Sequence, residues 1–163
     1  MKRVLAGGLV VGALDLLDAI VFFGLRNGVP PVRIFQSIAA GVQGRAAFSG
    51  GVPSAALGVF LHFFIAFVIV GVYFLASRSL PVLRRHWIGC GILYGIAVYF
   101  FMNDVVIPLS ATTRGAFAWP VFINGLAIHM FGVGLPAAWF AAQGEQWSAR
   151  QKWSARQKWS ARL

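Results

Sequence analysis

Cysteine and acidic residues are both scarce in this chain of 163 residues. The single cysteine, Cys90, cannot form an internal disulfide, and the sequence has no Cys/His cluster spaced for zinc or an iron–sulfur centre. Asp and Glu together number four, against 14 Lys and Arg. No HExxH pair, P-loop, GxGxxG fingerprint or nucleophile elbow occurs. We therefore expect a protein that is not an enzyme and that has no cofactor.

Apolar residues, in contrast, are abundant. They make up 59% of the chain, against about 45–50% in soluble domains. The mean hydropathy is +0.76. A spanning helix needs roughly 20 apolar residues, and four segments meet that requirement: residues 4–25, 54–77, 87–107 and 119–142. The sequence thus predicts an all-α polytopic membrane protein with four transmembrane helices, forming one domain over residues 1–142.

The connection between the first two spans has its own helical pattern. Pro30-Pro31 favours the start of a helix. Over residues 32–48, apolar and polar residues recur on opposite sides: Ile34, Phe35, Ile38 and Val42 against Arg33, Gln36, Gln43 and Arg45. This pattern predicts a short interfacial helix in the lipid headgroup region. An irregular loop is the alternative.

Residues 143–163 form a basic tail with a six-residue repeat, EQWSAR-QKWSAR-QKWSAR. On an extended chain its Trp side chains would share one side and its Lys and Arg side chains the other, which suits an anionic membrane surface. The plainer interpretation, which we favour, is a tandem duplication without a selected role. The basic residues expected at lipid headgroups are Arg84, Arg85, Arg150, Lys152, Arg156 and Lys158. Because the charges lie between spans and in the tail, we expect the lipid bilayer and no nucleic acid as their partner.

The positive charges also predict an orientation. Of the 14 Lys and Arg residues, ten fall on the side of the two termini, and Arg26, Arg33, Arg45 and Arg114 fall on the other. Lys and Arg are enriched in cytoplasmic loops. Both termini are therefore expected in the cytoplasm, with the tail supplying much of the difference.

Each predicted span carries a stripe of small residues at helical spacing. Small residues let helix backbones approach closely inside a membrane. The predicted packing residues are Gly8, Gly12, Gly58, Gly91, Gly95, Gly125 and Gly132. Three of these stripes also carry an ionisable residue, namely Asp15, His62 and His129.

These three side chains are predicted to lie at one depth, about 12–14 Å below the outer membrane boundary. Asp18 and Asn124 are predicted closer to that boundary, on the same two spans as Asp15 and His129. A charged side chain in mid-membrane costs at least about 2.5 kcal/mol, so each one is expected to have a partner. The obvious partnership is an Asp–His hydrogen bond.

Three interpretations of this polar cluster remain open. It can be structural, with each group satisfied by the others and fixing the helix register. It can be a proton or ion pathway, since ionisable groups at this depth usually mark one. Least favoured is a b-type haem with His62 and His129 as axial ligands.

The order of landmarks resembles small bacterial inner-membrane proteins of the YagU-like kind. The shared features are the Gly8–Gly12 pair, His62, Pro108-Leu109 and His129. The resemblance covers about residues 4–142. It implies a bacterial four-span protein to which no reaction is assigned, and it transfers no catalytic residue.

The favoured hypothesis is a non-enzymatic structural or accessory subunit of a membrane assembly in the bacterial inner membrane. Such a protein would be a homo-oligomer or part of a larger complex. The alternative is a small oligomeric channel or transporter that handles protons or cations with Asp15, His62 and His129.

Overall fold

A computed structural model describes residues 2–113 and 115–143, and the predicted tail lies outside that part of the chain. The described residues form helices and no strand, which confirms the all-α prediction. Four helices are long and apolar enough to cross a membrane. We number the five principal helices α1 (Lys2–Asn27), α2 (Pro31–Gln43), α3 (Gly51–Ser79), α4 (Trp87–Leu109) and α5 (Trp119–Gln143).

Local sequence accounts for the helix ends on the side where α2 lies. After α1 the chain turns at Gly28, whose φ of +63° suits glycine, and its N–H donates to the Gly24 carbonyl at 2.9 Å. A 3₁₀ segment, Gly44–Ser49, follows α2 and begins at a second glycine with a φ of +60°. These two turns reverse the chain twice over a short distance and so bring α2 beside the ends of the spanning helices.

Two prolines shape α4 and α5. Each helix contains a π-helical turn, Met102–Val106 in α4 and His129–Gly134 in α5, and each turn ends two residues before a proline, Pro108 or Pro136. Proline lacks an N–H, and its ring clashes with the carbonyl four residues earlier. Membrane helices accommodate proline through such local π adjustments. One extra residue in a turn also changes which side of the helix the following residues occupy.

The half of the bundle that contains the start of α1 and the end of α5 is closely packed, and we call it the packed half. Its buried residues are Val11, Ala66, Val70, Tyr73, Val98, Val133, Ala137, Ala138 and Ala141. The Tyr73 hydroxyl donates to the Leu83 carbonyl at 2.8 Å, and the Tyr94 hydroxyl donates to the Ile69 carbonyl at 2.7 Å. Both tyrosine hydroxyls are therefore satisfied by backbone carbonyls.

Glycine makes most of the close helix contacts possible. Gly8 and Gly12 of α1 pack against Phe67 and Phe63 of α3. A Cβ atom on Gly95 of α4 would collide with the His129 carbonyl of α5. The other predicted packing residues lie as follows: Gly91 against Ala138 and Gly134, Gly125 against the Tyr99 ring, and Gly132 buried between Ile128 of its own helix and Leu14 of α1.

Gly58 packs differently from its neighbours on the predicted stripe. The atoms nearest to a Cβ built there belong to α2, namely the Phe35 carbonyl and the Ala39 nitrogen. Gly58 is therefore a helix-packing residue whose partner is α2. The glycine allows α2 to lie directly on α3.

The predicted helix over residues 32–48 is present as α2 and the 3₁₀ segment, but its faces differ from the prediction. Gln36, expected on the polar side, is only 4% exposed, and its amide donates to the Gly51 carbonyl at 3.2 Å. Val42, expected on the apolar side, is 65% exposed. The reason is that α2 packs against protein at Gly58, so helix contact rather than a headgroup boundary decides which side is buried.

Candidate functional site: a polar cavity between the helices

A cavity of about 610 Å³ lies in the other half of the bundle, which we call the cavity half. All five principal helices contribute to its walls. It extends from Val133, at the edge of the packed half, to Val29 and Arg33 beside α2. Its lining contains all five residues of the predicted polar cluster: Asp15, Asp18, His62, Asn124 and His129.

Asp15 and His129 lie close together on facing helices. The Oδ1 atom of Asp15 is 3.9 Å from Nδ1 of His129, within ion-pair range but too long for a hydrogen bond. The two side chains are 26% and 18% exposed, respectively. The predicted Asp–His hydrogen bond is therefore not formed here, because Nδ1 of His129 makes a 2.8 Å hydrogen bond with the Gly125 carbonyl of its own helix.

Asp18 and Asn124 form the second pair across the same helix interface. The Asn124 amide donates to Oδ2 of Asp18 at 2.6 Å. Among residues 2–113 and 115–143, no Lys or Arg side chain lies within ion-pair distance of Asp15 or Asp18. The two carboxylates thus face the cavity with one amide and one imidazole as their polar neighbours.

His62 lies on the third side of the cavity and joins neither pair. Its Nε2 atom is 2.8 Å from the Gly12 carbonyl. This contact is possible because Gly12 has no side chain to hold α3 away from the α1 backbone. Asp15, His62 and His129, which were predicted to meet at one depth, therefore do not form one cluster. Asp15 and His129 are a pair, and His62 is separate from them.

The hydrogen bonds also fix which ring nitrogens carry protons. A backbone carbonyl only accepts, so Nδ1 of His129 and Nε2 of His62 must each donate. In the neutral rings, Nε2 of His129 and Nδ1 of His62 are then the free acceptors.

The haem alternative fits this geometry poorly. Nε2 of His62 donates to the backbone, so this atom cannot also be an axial ligand of haem iron. Within the described part of the chain, no three His, Cys, Asp or Glu side chains are grouped to hold a metal ion. The site is thus a cavity with dispersed polar groups rather than a metal centre.

Three further polar residues line the cavity that the predicted polar cluster did not include. They are Asn103, Arg33 and Ser37. Asn103 lies in the π turn of α4, and its amide donates to the Tyr99 carbonyl at 2.9 Å. Arg33 and Ser37 come from α2, and an interfacial helix gave no reason to expect its residues inside the bundle. The sequence signal that could have indicated them is their spacing of four residues, which puts Arg33 and Ser37 on the same side of one helix.

Arg33 lies where the cavity meets α2. Its Nη1 atom donates to the Phe48 carbonyl at 3.0 Å, and its guanidinium lies 5.6 Å from the centroid of the Phe48 ring. This is a cation–π arrangement combined with a hydrogen bond. The guanidinium is consequently held at the wall of the cavity and does not neutralise either carboxylate.

The predicted headgroup residues are placed only in part. Arg84 and Arg85 end a single helical turn, Val82–Arg85, between α3 and α4 at the packed end of the bundle. Arg150, Lys152, Arg156 and Lys158 lie outside the described residues. Contact of these side chains with lipid stays a prediction.

The chain matches no protein-family model, and neither the curated proteins nor the solved structures contain a significant match to it. The resemblance to YagU-like proteins accordingly stays a prediction.

Proposed function

We propose that this chain is a small carrier of cations in the bacterial inner membrane, and that binding of the cation is coupled to protonation of the cavity. The observation that carries the proposal is the common location of five intramembrane polar residues on one cavity of about 610 Å³. A purely structural cluster would be expected to fill its space with mutual hydrogen bonds. Here Asp15 has no hydrogen-bond donor among the described side chains, and the space beside it is open.

The charges of the cavity favour a cation as its occupant. Its lining includes two carboxylates, Asp15 and Asp18, and one guanidinium, Arg33, which leaves one net negative charge when the histidines are neutral. A negative charge inside a membrane protein is costly without a partner. A bound cation would supply that partner.

His129 supplies the coupling. A proton on its ring places a positive charge 3.9 Å from the Asp15 carboxylate, and a cation beside Asp15 would repel that proton. The two binding events therefore oppose each other, and by thermodynamic linkage the opposition is reciprocal. Cation binding should therefore weaken as the pH falls.

The topology gives the carrier a direction. If all four candidate helices span the membrane, the start of α1 and the end of α5 lie on the same side of it. That side is the one of the packed half. If both termini are cytoplasmic, as the positive charges predict, the cavity lies in the periplasmic half. This conformation would then accept its cation from the periplasmic side while the packed half is closed.

The proposal is tested by cation and proton flux in proteoliposomes. Asp15→Asn and His129→Ala should abolish flux while leaving thermal unfolding in detergent close to that of the wild type. The matched controls, Asp104→Asn and His86→Ala, change the same residue types outside the cavity lining and should retain flux.

A wild-type protein without flux above empty liposomes at any pH would contradict the proposal and return the favoured role to the accessory subunit predicted from the sequence. Retained flux in Asp15→Asn would also contradict it, since that residue is central to the coupling.

A further inference from the structure

The size of the cavity indicates what kind of cation it could hold. Sites for small organic molecules measure about 300–1,000 Å³, and this cavity, at about 610 Å³, falls within that range. A bare metal ion needs several oxygen or nitrogen ligands at roughly 2–2.6 Å. Among the residues that the structure describes, the acidic and histidine side chains are too dispersed for that. The space therefore suits an organic molecule better than an inorganic ion.

The walls away from the carboxylates are largely apolar and partly aromatic. Phe22, Phe23 and Phe48 line the end beside α2, with the first two rings in edge-to-face contact at 5.1 Å. Aromatic faces attract cations and also bury apolar surface. The Arg33 guanidinium lies 5.6 Å from the centroid of the Phe48 ring, so one aromatic ring of this wall is already in contact with a cationic side chain.

The two carboxylates can serve a single charged nitrogen. Asp15 and Asp18 are three residues apart on α1, so their Cβ atoms lie about 5–6 Å apart on one face of the helix. Both side chains line the cavity. One ammonium group placed between them would approach both carboxylates, and the net charge of the lining would be balanced by one positive charge.

We propose that the cation carried by this cavity is an organic monocation with an aromatic or apolar body. Its charged nitrogen lies between Asp15 and Asp18, and its body lies along Phe22, Phe23 and Phe48. The inference rests on the proposed function, because it names the substrate class of the same site. According to this inference, a ligand needs both a positive charge and an apolar or aromatic body to bind tightly in the cavity.

Three probes separate these contributions in calorimetric titrations of the purified full chain in detergent, with empty micelles as the blank. Benzyltrimethylammonium has the charge and the ring, tetramethylammonium has only the charge, and benzyl alcohol has only the ring. Benzyltrimethylammonium should bind about tenfold more tightly than either of the others, the difference expected from one favourable cation–π or apolar contact.

Two variants test whether residues of the cavity lining contribute to binding of the probes. Asp18→Asn should weaken benzyltrimethylammonium binding about tenfold, since it removes one of two carboxylates near the charge. Phe48→Ala should weaken benzyltrimethylammonium but leave tetramethylammonium unchanged. The controls are Asp104→Asn and Phe101→Ala, which lie outside the cavity lining and should bind all probes as the wild type does. Thermal unfolding identifies any variant that fails to fold, and Phe48→Ala tests the inference independently of Asp18.

Equal binding of benzyl alcohol and benzyltrimethylammonium would overturn the inference and identify the cavity as an apolar or lipid site. Equal binding of tetramethylammonium would overturn it in favour of a site for any small cation. Equilibrium binding does not require transport, so the two proposals fail separately. Flux of protons or sodium without binding of the aromatic probe contradicts only the substrate class, whereas binding without any flux contradicts only the carrier.

Discussion

The packed half and the cavity half are built from the same four spanning helices, yet their interiors are filled in different ways. In the packed half, glycine and alanine bring backbones into direct contact, as where Gly95 of α4 meets the His129 carbonyl and Ala138 of α5 is fully buried. In the cavity half, the same helices carry Asp18, Asn124 and other polar side chains around open space. One half of the bundle thus has the small residues that allow close packing, and the other half has the polar side chains and open space that a binding site needs.

The difference also shows how the chain places ionisable groups at moderate cost. Membrane helices pack through small residues, and polar side chains are tolerated where they face one another or a cavity. The glycine contacts hold α4 against α5 just beyond His129. The packed half therefore acts as the rigid support from which the polar residues of the cavity are positioned.

The largest expected effect comes from disturbing the packed half. Gly95→Ala adds a Cβ where the His129 carbonyl lies, and backbone cannot move away as easily as a flexible side chain. Overpacking costs about 1–3 kcal/mol, and we expect the upper end of that range here. Thermal unfolding in detergent measures the loss.

The matched control is Gly89→Ala, on the same helix, where nothing lies within 4 Å of the added Cβ. It should be neutral or slightly stabilising, since alanine favours helix more than glycine does. If both variants unfold at the same temperature, the close approach of α4 and α5 is wrong, and so is the contrast between the two halves.

An intermediate effect is expected from Pro136→Ala, which acts on the boundary between the halves. Without the proline, the π turn His129–Gly134 can return to regular α-helix, and one residue fewer in the turn rotates one part of α5 against the other by about 100°. The end of α5 is fixed by its buried residues Ala137, Ala138 and Ala141. The rotation must therefore move His129 and Asn124 away from α1.

We expect Pro136→Ala to lose cation flux as fully as His129→Ala does. Pro120→Ala is the control, because Pro120 lies in the first helical turn, where its missing N–H has no partner to lose. Unchanged flux in Pro136→Ala would show that the proline does not position the site.

Sequence patterns predicted the spans well because membrane thickness imposes length and apolarity on each segment. The predicted limits 54–77 and 87–107 lie within α3 and α4, whose observed bounds are Gly51–Ser79 and Trp87–Leu109. Spacing along the helices also selected five residues that line one cavity. Depth and helical side can be read from a sequence because both follow from regular helix geometry.

What the sequence could not give depends on departures from that geometry. Regular spacing selected Gly125, His129 and Gly132 for the packing stripe of the fourth span, whereas the π turn also brings Gly134 against Gly91. Depth alone could not show that the Gly125 carbonyl, and not Asp15, would accept the hydrogen bond from Nδ1 of His129. The buried side of α2 was likewise decided by contact with Gly58, a tertiary interaction without a local pattern.

The smallest expected effect concerns the attachment of α2, which closes the cavity half. The Ser54 hydroxyl is buried and donates to Oε1 of Gln43 at 2.7 Å, joining α3 to the end of α2. Ser54→Ala should cost about 1 kcal/mol, the usual value for one hydrogen bond, because the exposed Gln43 can find water instead. The loss should be local, with faster amide hydrogen exchange in α2 and unchanged exchange around Val98 and Ala138.

Ser79→Ala, an exposed serine at the other end of α3, is the control and should change exchange in neither half. Faster exchange throughout α4 and α5 in the Ser54 variant would mean that the two halves unfold as one unit. A local response, in contrast, would mean that α2 can loosen while the packed half stays closed. That is the property a carrier needs if its cation is to enter and leave beside α2, since local openings of low free energy are the motions available to binding sites.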